Sequence, residues 1–322
     1  MLKFIIRRSL IAIPQLFLLS VLIFLLAQAM PGDALSGKFI NSPNLDPAYQ
    51  SELRDKLGLN DPWHEQYVRW IGNLVQGELG MSYVHNVKVE TMLESRIANT
   101  FWLGLATLIL TYLIAVPLGV IAGRLPDTNM DKFIVTYSYV SFSIPIFVFA
   151  LIMLYIFGFT LDWFPTGGSV DVRTEPGSWD WYVSKLHHLL LPALSSALLA
   201  TTSTIQYLRN EIIDTKLKDF VKTARAKGTP ERKVYTRHIF RNSLLPVAAF
   251  LGYDIVFILS GSIFIEQIFS YPGLGQLFVD SIQQRDFAVV NVLVMLFGVL
   301  SILGTLLSDI ILSIVDPRIR ID

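Results

Sequence analysis

Six long apolar runs constrain the fold of this 322-residue chain more than any other feature. An α-helix needs about 20 residues to cross a hydrocarbon core of about 30 Å, and each run reaches that length. Apolar residues make up 52% of the chain and charged residues 16%, below the ~25% usual in soluble domains. The sequence predicts an all-α integral membrane protein with six transmembrane helices, at 9–30, 100–123, 133–160, 187–208, 244–268 and 287–314.

The runs differ in character. The third and sixth are the longest, which predicts tilted spans or ends that extend into the membrane interface. The first begins like a secretory signal, but it exceeds the 7–15 apolar residues of such signals, so we expect it to be retained. The fourth carries hydroxyl side chains, which favour packing against other helices over contact with lipid: Ser195, Ser196, Thr201, Thr202, Ser203 and Thr204.

Basic residues concentrate between the fourth and fifth runs. Segment 209–242 holds ten Lys or Arg and four Asp or Glu, on a chain of zero formal net charge. Loops rich in Lys and Arg lie on the cytoplasmic side of a membrane. With both termini inside, the cytoplasmic segments hold seventeen basic residues and the outer ones nine. Only three of those nine remain when segment 31–98 is omitted, because charge in loops beyond about 60 residues carries little weight. We therefore expect cytoplasmic N and C termini.

This topology divides the chain into three parts. Residues 1–30 form an N-terminal tail and the first transmembrane helix. Residues 31–98 form an extracytoplasmic segment, where partly helical spacing of apolar residues predicts two or three short helices, one of them starting at Pro62. Residues 99–322 form the core domain, with five transmembrane helices and the cytoplasmic loop 209–242.

The cytoplasmic loop has the pattern of two helices joined at a glycine. Glu211 to Lys227 predicts a first helix, with a weak apolar stripe at Phe220, Val221 and Ala224. Gly228 is typical of the residue that ends an α-helix by adopting the left-handed conformation. Thr229 is then expected as the cap of a second helix, Pro230 as its first residue and Glu231 as a first-turn acid. The small residues at this bend favour close approach by another protein, and the alternative is a solvated basic loop held near anionic lipid.

Asp254 is the one acid well inside a predicted span. It lies ten residues beyond Leu244, or about 15 Å along a helix, near the bilayer midplane. A charge there costs at least about 2.5–3.5 kcal/mol and usually faces the bundle interior or a water-filled path. One interpretation is that Asp254 lines a translocation path, and the other is a protonated acid bonded to a neighbouring helix. Gly261 and Glu266, later in the same span, are further candidates for the path.

Other motifs carry little chemistry. Residues 32–38 have the glycine and lysine spacing of a phosphate-binding loop, but Phe39 follows where magnesium binding needs Ser or Thr. His64-Glu65 lacks the second zinc ligand, because position 68 is Val. His187-His188 is interpreted as structural, and the chain has no cysteine. We therefore expect no catalytic residues, no metal site, no cofactor and no nucleic-acid partner. Gly119 and Gly123 form a small-xxx-small pattern that favours close helix packing.

A series of short motifs follows in order along nearly the whole chain: Pro31-Gly32-Asp33, Leu57-Gly58-Leu59, Asp61-Pro62, Gln66-Tyr67, the run from Gly77 to Ser82, Thr223-Ala-Arg-Ala-Lys-Gly228, His238, Asn242, Pro246, Gly261, Glu266, Tyr271-Pro-Gly-Leu-Gly275 and Asp316-Pro-Arg318. In this order and spacing, the motifs resemble those of one family: the permease subunits of ATP-binding-cassette importers, in the dipeptide/oligopeptide branch.

The resemblance implies a type I importer fold and a docking role for the cytoplasmic loop. In this family the loop carries the EAA motif, whose first helix and bend dock on an ATPase subunit. Ala224 and Gly228 match its second Ala and its Gly, whereas Lys222 replaces the Glu and Thr223 the first Ala. The implied ATPase-coupling residues are Phe220, Thr223, Ala224, Arg225, Ala226, Lys227 and Gly228.

The resemblance also implies partners and a location. We expect a homologous second permease, two ATPase subunits that bind the ATP and magnesium, an extracytoplasmic peptide-binding protein and membrane lipid, all in a bacterial plasma membrane. This chain itself would hydrolyse nothing. The expected solute is an oligopeptide or dipeptide, and nickel, glutathione or another small solute is the alternative. An ion-coupled transporter would instead have several intramembrane acids and inverted halves, and an intramembrane enzyme would need a catalytic set.

Overall fold

A computed structural model describes residues 2–29, 47–244 and 262–315, together with Val247, Asp254 and Ile258. Helices dominate these ranges. In chain order the helices are α1 (Leu2–Ala29), α2 (Pro47–Lys56), α3 (Trp63–Val75), α4 (Val89–Arg124), α5 (Asn129–Ser143), α6 (Ile146–Met153), α7 (Trp179–Lys216), α8 (Asp219–Ala226), α9 (Glu231–Lys233), α10 (Ile263–Ile268), α11 (Leu274–Gln283) and α12 (Phe287–Val315). Wider π-helical turns extend α6 over Leu154–Thr160 and α9 over Val234–Phe240. Strands β1 (Met81–Ser82) and β2 (Val87–Lys88) pair antiparallel.

Four of the described helices are long and apolar enough to cross a membrane: α1, α4, α7 and α12. They match the predicted first, second, fourth and sixth spans. However, α4 and α7 have 36 and 38 residues and begin well before the predicted boundaries. Most of the predicted fifth span lies outside the described residues. Within it, Leu244, Val247, Asp254 and Ile258 are helical, and α10 covers its end.

The predicted third span is not one continuous helix. α5 and α6 meet at an angle of 104°, so the two count at most as one broken span. Pro145 explains the break, because it has no N–H to donate and it disfavours helical geometry in the residue before it. Ile144 accordingly has an extended backbone, with φ −89° and ψ 122°. The prediction of a single helix over 133–160 was therefore wrong.

The main contact in the fold is between α4 and α7, and two glycines make it close. A Cβ added at Gly119 would lie 3.0 Å from the Leu208 Cβ, and one added at Gly123 would lie 2.8 Å from the Ile212 Cβ and 2.9 Å from the Arg209 carbonyl oxygen. Side chains larger than hydrogen therefore do not fit at this crossing. The predicted role of Gly119 and Gly123 in helix packing is confirmed, and the packing is within the chain.

A partly buried ion pair fixes the start of α5 against α7. The Arg209 Nε and Nη2 donate to the two Asp131 oxygens at 2.6 and 2.7 Å. The Asp131 side chain is only 3% exposed, and it also accepts from the Asp127 N–H at 2.8 Å. Arg209, the first basic residue of segment 209–242, therefore positions a helix and is not a free surface charge.

The segment before α4 packs on the first and last helices. Tyr67 and Trp70 of α3 stack around Phe24 of α1, and the Tyr67 hydroxyl is 2.9 Å from the Ser20 hydroxyl. Pro62 directly precedes α3, as predicted. α2 and α3 are the short helices expected there, whereas the β1–β2 hairpin was not predicted. The Ser82 hydroxyl of that hairpin donates to Asp286, at the start of α12.

Replacing Gly123 by alanine should destabilise the purified protein by about 1–3 kcal/mol, because the added methyl group collides with Ile212 and with backbone. Thermal unfolding in detergent measures this as a lower Tm. Gly72→Ala is the matched control, since nothing lies within 4 Å of an added Cβ there. The control should keep or raise the Tm, because alanine favours a helix by up to about 1 kcal/mol over glycine. Equal Tm values for the two variants would contradict the close packing of α4 on α7.

Asp131→Ala should lower stability by about 3 kcal/mol, because it leaves the Arg209 guanidinium facing a site that has lost its acceptor. Asp219→Ala is the control, because it removes the exposed Asp219–Lys222 pair, 2.9 Å long. Exposed helical pairs of this kind contribute little to stability, because water screens the attraction between the charges. Thermal unfolding in detergent should therefore separate the two variants clearly.

Candidate functional sites: the short helix α8 and a polar cavity

The short helix α8 is separated from α7 by a two-residue break. The Leu217 and Lys218 N–H groups bond to the Asp214 and Thr215 carbonyls, which tightens the last turn of α7. Lys218 then adopts an extended backbone and α8 starts at Asp219. The prediction of one helix from Glu211 to Lys227 was therefore wrong, because the chain turns before the small-residue motif begins.

Gly228 ends α8 as predicted. Its φ is +72°, the left-handed region that glycine enters without strain. The Thr229 N–H bonds to the Ala224 carbonyl at 3.2 Å and the Gly228 N–H to the Arg225 carbonyl at 2.9 Å, which is the Schellman pattern. The next helix starts one residue later than expected. Pro230 occupies the cap position assigned to Thr229, and Glu231 is the first helical residue.

α8 has one buried and one exposed face. Val221 and Ala224 are buried against Leu208 and Ile212 of α7 and against Val234 and Ile239. Residues in a helix are about 100° apart, so Thr223 and Ala226 lie on the opposite face, and both are exposed. Lys227 and Gly228 at the bend are exposed as well.

Phe220 does not belong to the buried stripe in which the sequence placed it. Its side chain is 44% exposed and lies at the edge between the two faces of α8. The exposed face of α8 therefore combines small side chains with one accessible aromatic ring.

Arg225 is paired within the loop. Its Nη2 and Nε donate to the two Glu231 oxygens at 2.7 and 3.2 Å, across the Gly228 turn. The hydrogen bond from Arg225 lowers the pKa of the Glu231 carboxyl and raises that of the guanidinium. Because the Glu231 pKa is lowered in the folded state, the pair contributes to stability at neutral pH. This contribution is lost only as the pH falls through the lowered pKa. Arg225 therefore holds the bend in shape.

The second site is a cavity of about 570 Å³ between α4, α7 and the helical residues Asp254 and Ile258. Asp254 is half-buried on this cavity, and the Tyr112 hydroxyl donates to its Oδ2 at 2.7 Å. Hydroxyl groups supply most of the remaining polar lining: Thr100, Thr107, Thr111, Ser196, Ser203, Thr204, Tyr207 and Ser262.

Sequence reasoning missed most of these hydroxyls. Thr100, Thr107 and Thr111 recur at seven and four residues, which places them on one face of the otherwise apolar helix α4. That spacing was the available signal. In α7 the hydroxyls were expected to pack against other helices, and Thr202 does donate to the Ser138 carbonyl of α5 at 3.3 Å. Ser203 of the same group, however, faces the cavity.

The other candidate path residues are placed differently. Glu266 is 0% exposed and is bonded to Thr100 and to the Gln276 N–H, so in this conformation its carboxylate lies inside the chain and not on the cavity. The sequence placed Glu266 among the candidate path residues because it could not show that Thr100 and the Gln276 N–H donate to the carboxylate. Gly261 lies outside the described residues.

The other motifs that the sequence analysis named are the segment 32–38 and the histidine pair His187-His188. The segment 32–38 lies outside the described residues. His187 bonds to the Trp163 carbonyl and His188 to the Ser184 carbonyl, both at 2.8 Å, which fits a structural role. Across the described residues, no three His, Cys, Asp or Glu side chains come together as metal ligands would.

Comparisons with known proteins agree on the family to which this chain is similar. A family model described as the inner membrane component of binding-protein-dependent transport systems matches residues 115–321, and the model of its N-terminal part matches residues 1–104. The oligopeptide transport system permease protein AppB of Bacillus subtilis is 39% identical over 321 residues, which covers 99% of this chain and 100% of the relative.

Two further relatives match over nearly their full length. The glutathione transport system permease protein GsiC of Escherichia coli O6:H1 is 33% identical, over 99% of both chains. A putative peptide permease protein of Brucella suis biovar 1 is 34% identical, over 100% of both chains. This multi-pass protein of the bacterial plasma membrane therefore belongs to the family of inner membrane components of binding-protein-dependent transport systems.

Proposed function

We propose that this chain is one of two permease subunits of an ATP-binding-cassette importer for oligopeptides or dipeptides. It has six spans and cytoplasmic termini, and it forms the translocation path together with a homologous permease. The observation that carries the proposal is α8, a short cytoplasmic helix whose buried face is packed on a membrane helix while its other face is exposed. The full-length similarity to AppB favours a peptide as the solute.

The continuity of α7 gives a physical route from ATP to the solute. Ser203, Thr204 and Tyr207 of α7 line the cavity, and Leu208 and Ile212 of the same helix hold α8. Eight residues separate Thr204 from Ile212, which is about 12 Å along a helix. A displacement of α8 therefore reaches the cavity through one rigid element. In the proposed cycle, two ATPase subunits bind ATP with magnesium, close together, and move α8 and then α7.

This subunit would itself hold no cofactor and catalyse no reaction. An extracytoplasmic binding protein would deliver the solute to the outer face, and closure of the ATPases would turn the two permeases outward. Hydrolysis of ATP would then reset them. The basic surface around α8 would lie near anionic lipid of the inner leaflet, which attracts Lys and Arg.

A tripeptide such as glutathione is the second candidate solute, because GsiC relatives reach 33% identity over the full length. The cavity lining, with one carboxylate among hydroxyl groups, suits the amino group of either solute. An ion-coupled mechanism is less well supported, because Asp254 is the one acid among the described residues of the cavity lining.

The exposed face of α8 can be tested at Ala226. Ala226→Trp should lower solute uptake and solute-stimulated ATP hydrolysis at least about tenfold, because a large side chain would block close docking of a partner. The fold should be unaffected, since Ala226 is exposed. Ala226→Ser is the matched control, and we expect it to retain activity because the side chain stays small.

A crosslink locates the partner directly. The chain has no cysteine, so Ala226→Cys would be the only reactive thiol in this subunit. We expect it to crosslink to single cysteines placed on a co-expressed ATPase. An active complex in which Ala226→Cys reaches no ATPase position would rule out docking through this face.

Asp254 can be tested by a change that preserves its size. Asp254→Asn keeps an acceptor for the Tyr112 hydroxyl but cannot carry a negative charge. We expect uptake of peptides with a free amino group to fall about tenfold, the loss of one charge-assisted hydrogen bond. Uptake of N-acetylated peptides should be less affected. If peptide uptake and coupled ATP hydrolysis both stayed at the parent level, the role of Asp254 in the path would be disproved.

A further inference from the structure

We propose that Glu266 is a positioning residue that ties the outer hairpin of the permease to the cavity-lining helix α4. The outer hairpin is defined as residues 271–286, which contain α11 and connect α10 to α12. The effect on transport rests on the function proposed above, whereas the tie itself is a feature of this chain and can be measured separately.

The Glu266 carboxylate joins three elements. The Thr100 hydroxyl of α4 donates to Oε1 at 2.9 Å, and the Gln276 N–H of α11 donates to Oε2 at 3.0 Å. The Thr100 Oγ1 in turn accepts from the Leu274 N–H at 2.8 Å. Thr100 and Glu266 are both buried, so these bonds form away from water. A buried carboxylate without such donors would be strongly destabilising.

The start of α11 explains why an acid is needed here. The first N–H groups of any helix have no partner within the helix, and this end carries a partial positive charge. Thr100 accepts from the first residue of α11 and Glu266 from the third. The carboxylate is thus a buried substitute for a helix cap, supplied by a neighbouring helix.

The two glycines beside α11 fit the same explanation. A Cβ added at Gly275 would lie 3.0 Å from the Glu266 Oε2 and 2.9 Å from the Ile263 Cα. A Cβ added at Gly273 would overlap the carboxylate itself. The Gly273-Leu-Gly275 sequence therefore makes room for the acid.

Neighbouring contacts hold the hairpin on α4 at one end. The Asn99 amide donates to the Pro272 carbonyl at 2.9 Å, and Arg96 reaches the Gly273 carbonyl at 3.4 Å. Arg96, Asn99 and Thr100 lie within five residues of α4, so a short stretch of this helix carries the polar part of the attachment, beside the apolar packing of Val89 and Leu93 on Leu274 and Leu277.

This attachment borders the translocation cavity. Thr100 and Ser262 belong to the cavity lining, and Thr100 also bonds to Glu266. The residue that holds the hairpin therefore borders the cavity. We infer that α4 and the outer hairpin move as one unit when the cavity opens outward, so that loss of the tie uncouples the outer surface from the cavity.

The tie can be measured without transport. Ser281 lies in α11, is 2% exposed and can be replaced by cysteine with little change in size. In the complete complex in membranes, Ser281→Cys should react slowly with a water-soluble maleimide. Adding Thr100→Val or Glu266→Gln should raise the labelling rate about tenfold, because each change removes a bond to a charged group. Thr100→Ser, which keeps the hydroxyl, should restore slow labelling.

A matched control separates the tie from general loosening. Gln267 of α10 donates to Asp280 of α11 at 3.2 Å without involving α4, so Gln267→Ala should leave labelling slow. Thr100→Val combined with Glu266→Gln should be no more reactive than the faster single variant, because both act on one network. Where Glu266→Gln reduces the amount of complex, Gly275→Ala, which displaces the carboxylate, carries the same expectation.

Uptake completes the test. Thr100→Val and Glu266→Gln should each lower the maximal uptake rate about tenfold while the solute concentration for half-maximal uptake stays nearly unchanged. Unchanged labelling in both variants would overturn the proposal. Raised labelling with normal uptake would overturn it as well, because the tie would then only stabilise the fold. If the parent complex takes up no peptide at all, the proposed function fails, and the labelling result still decides whether the tie exists.

Discussion

The close contact between α4 and α7 is the constraint on which the rest of the structure depends. Gly119 and Gly123 let the two helices approach to a distance that any side chain would prevent. The pair then presents its hydroxyl-bearing faces to the cavity at one level and supports α8 at another. Because close-packed interiors deform little, the glycine contact holds α4 and α7 in one arrangement. α7 reaches both candidate sites, and the contact joins the threonine face of α4 to the same rigid unit.

The charges of segment 209–242 play two different roles. As a group, the ten basic residues predict which side of the membrane the segment occupies. Individually, Arg209 forms an ion pair with Asp131 and Arg225 forms one with Glu231, and both pairs hold the local shape of the chain. What α8 and its bend present outward is consequently the small side chains of Thr223 and Ala226 beside the exposed Lys222 and Lys227, with Phe220 at the edge.

Length and composition were sufficient for the features that depend on local physics. Apolar length predicted α1, α4, α7 and α12, and the conformational freedom of glycine predicted the turn at Gly228. The break between α5 and α6 also had a local signal, which is Pro145 itself. The prediction gave more weight to the apolar length of the run and so missed the break. The break at Leu217 and Lys218 had no such signal, because it depends on how α8 packs on α7. The cavity lining depends in the same way on helix pairs, and only the threonine spacing of α4 hints at it.

Asp254 and Glu266 show why a sequence cannot separate a path residue from a structural one. Both acids occur in one predicted apolar span, twelve positions apart. A carboxylate can accept about four hydrogen bonds, and its role depends on how many the protein already supplies. Glu266 receives bonds from α4 and α11, residues distant in the chain, and is fully buried. Asp254 receives one from Tyr112 among the described residues and borders a cavity. Glu266 is held by donors from two other elements and is fixed in place, whereas Asp254 has more remaining capacity and is the acid proposed above to bind the passing solute.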